Sequence, residues 1–148
     1  MVTGAAVFTL INDLEGRRPF RVDVVSRITG FKLHRAAVQS SEYFSVYYSE
    51  DNETEVLKSV ELRVPTGLAT ARDGMVLLDV NPLLCLTQEE VLGRFGRVPR
   101  VVAPDSDGPR DLPIYLEYDR QWGALRFGFQ LTGTGCLRTV VLDATETP

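Results

Sequence analysis

The sequence predicts an α+β protein in which two αβββ half-repeats, residues 1–80 and 81–148, pack as one compact unit with antiparallel sheets. Apolar residues recur at helical spacing in three segments, and six other segments have the residue types or the alternation that strands favour. The same order, a short helix closed by glycine, a loop and three strands, occurs in both halves. The length of 148 residues suits a single domain.

Two short helices are predicted at the start of the chain. Over residues 5–14 the apolar side chains lie three or four positions apart, and Gly16 stands where a C-cap is expected. Residues 20–29 carry a second apolar stripe, which follows Pro19 and is closed by Gly30. These helices open the first half-repeat.

The first three strands are predicted from residue type and alternation. Residues 43–48 are aromatic and β-branched, residues 56–64 alternate apolar with charged side chains, and residues 75–80 are apolar. The polar segment at 49–55 separates the first two and is typical of a hairpin tip. The His34 segment between the helices and these strands is predicted to be a loop.

The second half begins with a capping-box signature. The hydroxyl of Thr87 is positioned to accept from the backbone of Glu90, whose carboxylate can accept from the backbone of Thr87, and Gly96 ends the helix. Three further strands are predicted at 114–118, 125–131 and 136–143. Strict alternation with Arg126 and Gln130 predicts a buried face, made of Leu125, Phe127, Phe129 and Leu131.

The charge balance limits the partners. Sixteen basic and twenty acidic residues give a net charge of −4, divided evenly between the two halves. This balance argues against a nucleic-acid partner, because binding nucleic acid needs a surplus of Lys and Arg, and a basic protein partner fits the sign better. No apolar run is long enough to span a bilayer. The first residues lack a signal-peptide pattern, which predicts a cytoplasmic protein, or a periplasmic one if a leader has been removed.

The chemically reactive residues are too few to indicate catalysis. His34 is the only histidine, and with Cys85 and Cys136 it makes no familiar metal motif, so we expect no enzyme activity, cofactor or metal site. The two cysteines are interpreted as small buried hydrophobes. The alternative is a disulfide between the helix start and the last strand, which requires an oxidising compartment.

Candidate partner-binding residues come from the aromatic, arginine and acidic positions. Trp122 lies in a turn beside Arg120, and such side chains dominate binding hot spots, although the ring would also serve as a lid on the core. Tyrosines on strands are expected to divide between the core and an exposed sheet face. The hairpin tip either increases solubility or mimics an anionic substrate. The candidate set is Trp122, Arg120, Tyr47, Tyr118, Glu50, Asp51, Glu53 and Glu55.

Four segments carry a resemblance to known families: 86–96, 115–118, 122–129 and 136–143. Their helix–glycine–loop–three-strand order resembles the repeat of BamE-type outer-membrane lipoproteins and the tandem repeat of secreted β-lactamase inhibitor proteins. Small bacterial proteins similar to this are often immunity partners of secreted toxins such as type VI effectors. The resemblance implies an inhibitor of a cognate antibacterial toxin. The alternative is a non-catalytic scaffold or chaperone-like subunit of an envelope or secretion assembly.

Overall fold

The computed structural model describes residues 3–50, 53–97, 99–103, 113–130 and 135–145. Within these residues the chain forms three α-helices, one 3₁₀ turn and eight strands. The helices are α1 (Ala5–Gly16), α2 (Val22–Thr29) and α3 (Gln88–Phe95), and the 3₁₀ turn is Pro82–Leu84. The strands are β1 (Leu33–Arg35), β2 (Phe44–Ser49), β3 (Leu57–Pro65), β4 (Met75–Val80), β5 (Arg100–Val102), β6 (Ile114–Arg120), β7 (Gly123–Phe129) and β8 (Leu137–Asp143).

The strands form one sheet in the order β1-β2-β3-β4-β8-β7-β6-β5, and all neighbours are antiparallel. Residues 1–80 supply one side of this order and residues 81–148 the other, so that β4 and β8 meet at the centre. The predicted α+β class with antiparallel strands is confirmed. The division into two αβββ half-repeats stays a prediction.

The predicted helix boundaries depend on identifiable caps. Thr87 and Glu90 form the expected capping box at the start of α3. Gly30 closes α2 with φ of 79°, a left-handed conformation that glycine adopts without steric cost, and its N–H donates to the carbonyl of Ser26. The sequence-based boundaries of α1 and α2 differ from the observed ones by only a few residues.

The short edge strands β1 and β5 were not predicted. Each has three residues, so neither shows an alternation long enough to identify a strand from sequence. The assignment of His34 to a loop was therefore wrong, because it pairs with Tyr48 in the sheet. Both edge strands are identified by their backbone pairing with the neighbouring strand and not by a side-chain pattern.

The core lies between one face of the sheet and the helices. Leu125, Phe127 and Phe129 have no exposed surface, which confirms the predicted buried face; Leu131 lies outside the described residues. The ring of Phe95 on α3 lies with its centroid 4.9 Å from that of Phe127. Val7, Ile11 and Leu14 of α1 and Val25 of α2 belong to the same cluster. This aromatic and aliphatic layer positions the helices.

A disulfide joins Cys85 to Cys136, so the interpretation of both as unlinked buried hydrophobes was wrong. Cys85 follows the 3₁₀ turn and Cys136 precedes β8, and the N–H of Leu137 donates to the carbonyl of Leu86 beside the bridge. The bridge closes a sequence separation of 51 residues. A link across a loop of this length typically stabilises a fold by about 2–4 kcal/mol.

The core predicts a large effect for truncation of one aromatic ring. Phe127→Ala should lower the free energy of unfolding by about 3–5 kcal/mol, because it removes buried surface and leaves a cavity. Leu83→Ala is the control, since Leu83 is 90% exposed and its truncation should change stability by less than about 0.5 kcal/mol. Urea denaturation of the three proteins provides the measurement. Equal stability of Phe127→Ala and the wild type would contradict the described core.

Candidate functional site

The two faces of the sheet differ in what covers them. On β3, Val60 and Leu62 are buried in the core cluster, whereas Glu61 and Arg63 alternate with them and point to the opposite side. The buried apolar residues of α1, α2 and α3 belong to that cluster too. In the described part of the chain, every helix therefore covers the same face. We call the other side the open face.

One row of paired residues crosses the open face from edge to edge. Its members are Cα partners on consecutive strands, so their side chains stand next to each other on the same side. In spatial order the row is His34, Tyr48, Glu61, Leu77, Val141, Arg126, Glu117 and Arg100. The row is apolar at its centre and polar or charged on both flanks.

The apolar centre lies where β4, β8 and β7 meet. Leu77 pairs with Val141, and the neighbouring row adds Met75 and Ala124 on the same side. Val141 is only 7% exposed, although no described helix lies above it. Met75, Leu77 and Val141 adjoin one another and form the apolar strip, whereas Asp143 separates Ala124 from Met75 in the neighbouring row.

A network of ion pairs lies on one flank of the strip. Arg126 contacts Asp143 at 2.9 Å and Glu117 at 3.3 Å. Arg100 contacts Glu117 at 3.6 Å and Asp119 at 2.9 Å. Four strands thus contribute to one network, and its inner members, Glu117 and Asp143, are largely shielded from solvent. Such a network holds the charged side chains in place on a face that none of the described helices covers.

Asp143 is the most strongly tied acid of this network. Burial favours the neutral carboxyl, but hydrogen bonds from Thr145 and Arg126 and the charge of Arg126 outweigh burial. The pKa of Asp143 therefore lies below its ordinary value of 3.8.

The opposite flank is built around Glu61. Its carboxylate contacts the Nε of Arg63 at 3.0 Å and accepts a hydrogen bond from Tyr48, which raises the pKa of the Tyr48 hydroxyl. At the sheet edge, Nε2 of His34 lies 2.6 Å from Glu50. This flank joins the open face to the acidic hairpin tip.

Two features make the surface of the open face uneven. The ring of Tyr115 lies across Gly128, where a Cβ would come within 2.8 Å of it. At the end of β2, a cavity of about 390 Å³ is lined by Tyr43, Phe44 and Leu68, together with Thr145. Because the Thr145 hydroxyl also donates to Asp143, this cavity adjoins the ion-pair network. The open face therefore offers a mostly apolar recess beside charged groups.

Trp122 and Arg120, both predicted partner-binding residues, make internal contacts on the helix side. Trp122 is 8% exposed, and its ring centroid lies 6.1 Å from that of Phe20. Arg120 donates two hydrogen bonds of 2.8 Å to Glu15 and so ties the end of β6 to α1. These contacts favour the structural interpretation of Trp122 as a lid on the core, while a role in binding stays a prediction.

The tyrosines divide between the two faces, as expected. Tyr47 packs against the core cluster, and Tyr118 is buried and donates a 2.7 Å hydrogen bond to the carbonyl of Gly96. Burial raises the pKa of the Tyr118 hydroxyl. Tyr48 and Tyr115 lie on the open face instead. Binding by Tyr47 and Tyr118 stays a prediction, but both rings have core contacts that account for them.

The hairpin tip keeps its predicted acidic character. Glu50, Glu53 and Glu55 are exposed, and Asp51 lies outside the described residues. Glu50 is the member closest to the open face, through its contact with His34. The tip and the open face together place negative charge along the β2–β3 end of the sheet.

The sequence did not identify Glu117, Arg100 and Asp143 as members of one site. The one signal that the sequence offered was the alternation of Arg126 with Phe127, which placed Arg126 on the face opposite the core. The partners of Arg126 depend on the registers of β5, β6 and β8, and no local pattern encodes those registers. The network is therefore a product of tertiary pairing.

Neither potential metal-ligand side chains nor comparisons with known proteins identify a chemical activity. Among the described residues, no three His, Cys, Asp or Glu side chains come together as a potential metal site. No helix among them is long and apolar enough to cross a membrane. No family model, curated protein or solved structure matches the chain.

The depressed pKa of Asp143 predicts an acid-dependent loss of stability. Because the folded pKa lies below the unfolded value, the carboxylate stabilises the fold at pH 7, and this contribution is lost as the pH falls through the folded pKa. Asp143→Asn should lower the free energy of unfolding by about 1–3 kcal/mol at pH 7. The difference in free energy of unfolding between Asp143→Asn and the wild type should shrink as the pH is lowered towards the acid range.

Thermal unfolding of both proteins between pH 7 and the acid limit of folding measures this difference. Asp119→Asn is the control, because Asp119 belongs to the same network but its side chain is 75% exposed. We expect a small effect from it at every pH. A pH-independent difference for Asp143→Asn would contradict the assigned pKa direction.

Proposed function

We propose that this protein binds a partner protein through the open face of its sheet and acts as an inhibitor rather than as a catalyst. The observation that carries the proposal is an eight-stranded sheet whose described helices all cover one face. On the other face, an apolar strip lies between two groups of fixed charges. This surface has the properties that a specific docking site requires.

The arrangement matches the usual anatomy of protein interfaces. Their centres are apolar and their rims are polar, and tyrosine and arginine are enriched in them. On the open face, Leu77 and Val141 supply the centre, and Tyr48, Arg126 and Arg100 lie around it. Arg126 is held by two carboxylates before any partner arrives, which reduces the entropy lost on binding.

The charge of this side favours a basic partner. The tip contributes Glu50, Glu53 and Glu55, and the open face contributes more acidic than basic groups. Complementary potentials increase the rate of encounter and select among partners. The net charge of the whole chain, −4, has the same sign as the charge of this surface.

A toxin is the partner class that the sequence resemblance suggests. The segments at 86–96, 115–118, 122–129 and 136–143 resemble repeats of inhibitor and envelope proteins, and similar small bacterial proteins are often immunity partners. We propose that the protein neutralises a cognate secreted antibacterial toxin, such as a type VI effector. A large pre-formed sheet face suits inhibition because it can cover an active-site cleft without changing shape.

The disulfide supports a second candidate function. Disulfides persist in oxidising compartments, so the Cys85–Cys136 bridge favours the periplasm over the predicted cytoplasm. A non-catalytic scaffold or chaperone-like subunit of an envelope assembly would work there, and so would an inhibitor of a periplasmic toxin. The two candidates differ in whether the partner is a toxin encoded by the neighbouring gene.

Binding to the product of the neighbouring gene tests the proposal directly. Leu77→Arg places a bulky charge in the apolar strip and should weaken binding by about 2 kcal/mol or more, roughly 30-fold. Leu83→Arg makes the same change at a leucine that is 90% exposed and outside the open face, and it should leave the affinity unchanged. Surface-binding kinetics and melting temperatures of both variants provide the measurement.

Two outcomes would overturn this proposal. Equal loss of affinity in both variants, or in neither, would exclude the open face as the binding surface. No binding of the wild type at micromolar concentration would exclude the neighbouring gene's product as the partner and favour the scaffold function.

The acidic tip should affect the rate of association with the partner rather than the rate of dissociation. Changing Glu50, Glu53 and Glu55 to Gln removes long-range attraction, so association should slow and its salt dependence should flatten. A control removes equal charge elsewhere with Asp13→Asn, Asp23→Asn and Glu89→Gln. If both triple variants slow association equally, net charge rather than the tip controls the encounter.

A further inference from the structure

A second charged surface begins at the end of α1 and reaches the edge strand β1. Residues 17–35 contain six basic side chains and one acid, Asp23, whereas the whole chain has a net charge of −4. All six basic side chains are exposed. They are Arg17, Arg18, Arg21, Arg27, Lys32 and Arg35, and we call them the basic patch.

The basic patch differs from the rest of the protein in its pairing. Every ion pair that the described residues form with an arginine uses Arg63, Arg97, Arg100, Arg120 or Arg126, all outside the patch. Within the described residues, no carboxylate lies within ion-pair distance of a patch member. Arg18 instead lies over the Trp122 ring at 5.5 Å. The patch therefore presents its positive charge to the exterior.

The patch is continuous along the chain and partly in space. It runs from the end of α1 through α2 to β1, and Arg17 and Arg27 line one cavity of about 220 Å³ together with Asp13. Arg21 and Arg27 lie at opposite ends of the eight-residue α2. Even when Asp13 and Asp23 are subtracted from the six basic residues, four positive charges remain.

An exposed apolar side chain follows the patch directly. Val38 is 92% exposed and lies in the turn after β1, three residues beyond Arg35. The turn is closed by a hydrogen bond from the Ser40 N–H to the carbonyl of Ala36. Basic side chains beside a projecting apolar residue are the combination that interfacial membrane binding uses.

We propose that the basic patch and Val38 form a docking surface for an anionic lipid leaflet. The patch offers cations that form no ion pair within the described residues, and lipid phosphates supply anions at adjustable spacing. Within the described residues, only Arg18 of the patch lies over an aromatic ring, so the other five cations lack the aromatic contacts that are common in protein interfaces. The Cys85–Cys136 disulfide agrees with a location in the bacterial envelope, where such leaflets are present.

This docking would also orient the molecule. The chain as a whole is negative and is repelled by an anionic leaflet, so only the side carrying the patch can approach it. The open face carries acidic groups and lies on the sheet side opposite α2. Lipid binding through the patch leaves the open face available, and it does not depend on the function proposed for that face.

Co-sedimentation with vesicles tests the proposal on the intact, disulfide-bonded protein. Vesicles of phosphatidylglycerol and phosphatidylcholine in equal parts should bind it, and pure phosphatidylcholine should not. Binding should fall as salt is raised to about 0.5 M. Each basic residue near an anionic leaflet strengthens binding about fivefold, so Arg21→Gln, Arg27→Gln and Arg35→Gln together should weaken it about 100-fold.

A matched triple variant separates local from net charge. Lys58→Gln, Arg94→Gln and Arg97→Gln remove equal charge outside the patch and should reduce binding only slightly. Val38→Ser should weaken binding about tenfold without affecting the melting temperature. Absence of binding to anionic vesicles overturns the proposal, and so does equal weakening by the two triple variants.

Discussion

The packing of Phe127 and Phe129 beneath the helices is the contact on which the rest of the structure depends. Both rings are fully buried, and Phe95 lies against Phe127 and 5.8 Å from Tyr118. Helices of 8 to 12 residues are marginal on their own in water. They persist here because the sheet supplies an apolar surface, and the sheet in turn needs a cover on that side. Loss of this aromatic layer would separate the helices from the sheet.

The same packing explains why the open face is available for binding. The helices in the described residues all contribute to one cluster, so the opposite face has to be stable without them. The ion pairs among Arg126, Glu117 and Asp143 and the sheltered position of Val141 satisfy this requirement. A face that is ordered but uncovered is suited to recognition, because little reorganisation is needed before a partner docks. In the function that we propose, recognition and stability would depend on the same side chains.

Sequence patterns predicted the elements better than the site. The alternation around Phe127 and the Thr87 capping box identified a strand and a helix, because both signals are local. The edge strands were missed because three residues carry no period. The partners of Arg126 could not be predicted, since they depend on the register between strands distant in sequence. Counting charge by halves also concealed the basic patch, whose charge is balanced by the acidic tip within the same half.

Methyl NMR of the protein during titration with the neighbouring gene's product tests whether the open face is the binding surface. Leu77 and Leu78 are adjacent on β4 but point to opposite faces, so each serves as the control for the other. We expect the methyl signals of Leu77, Val141 and Met75 to shift or broaden on binding, while those of Leu78 and Leu142 change little. Binding that perturbs the Leu78 and Leu142 signals and leaves Leu77 and Val141 unchanged would contradict it.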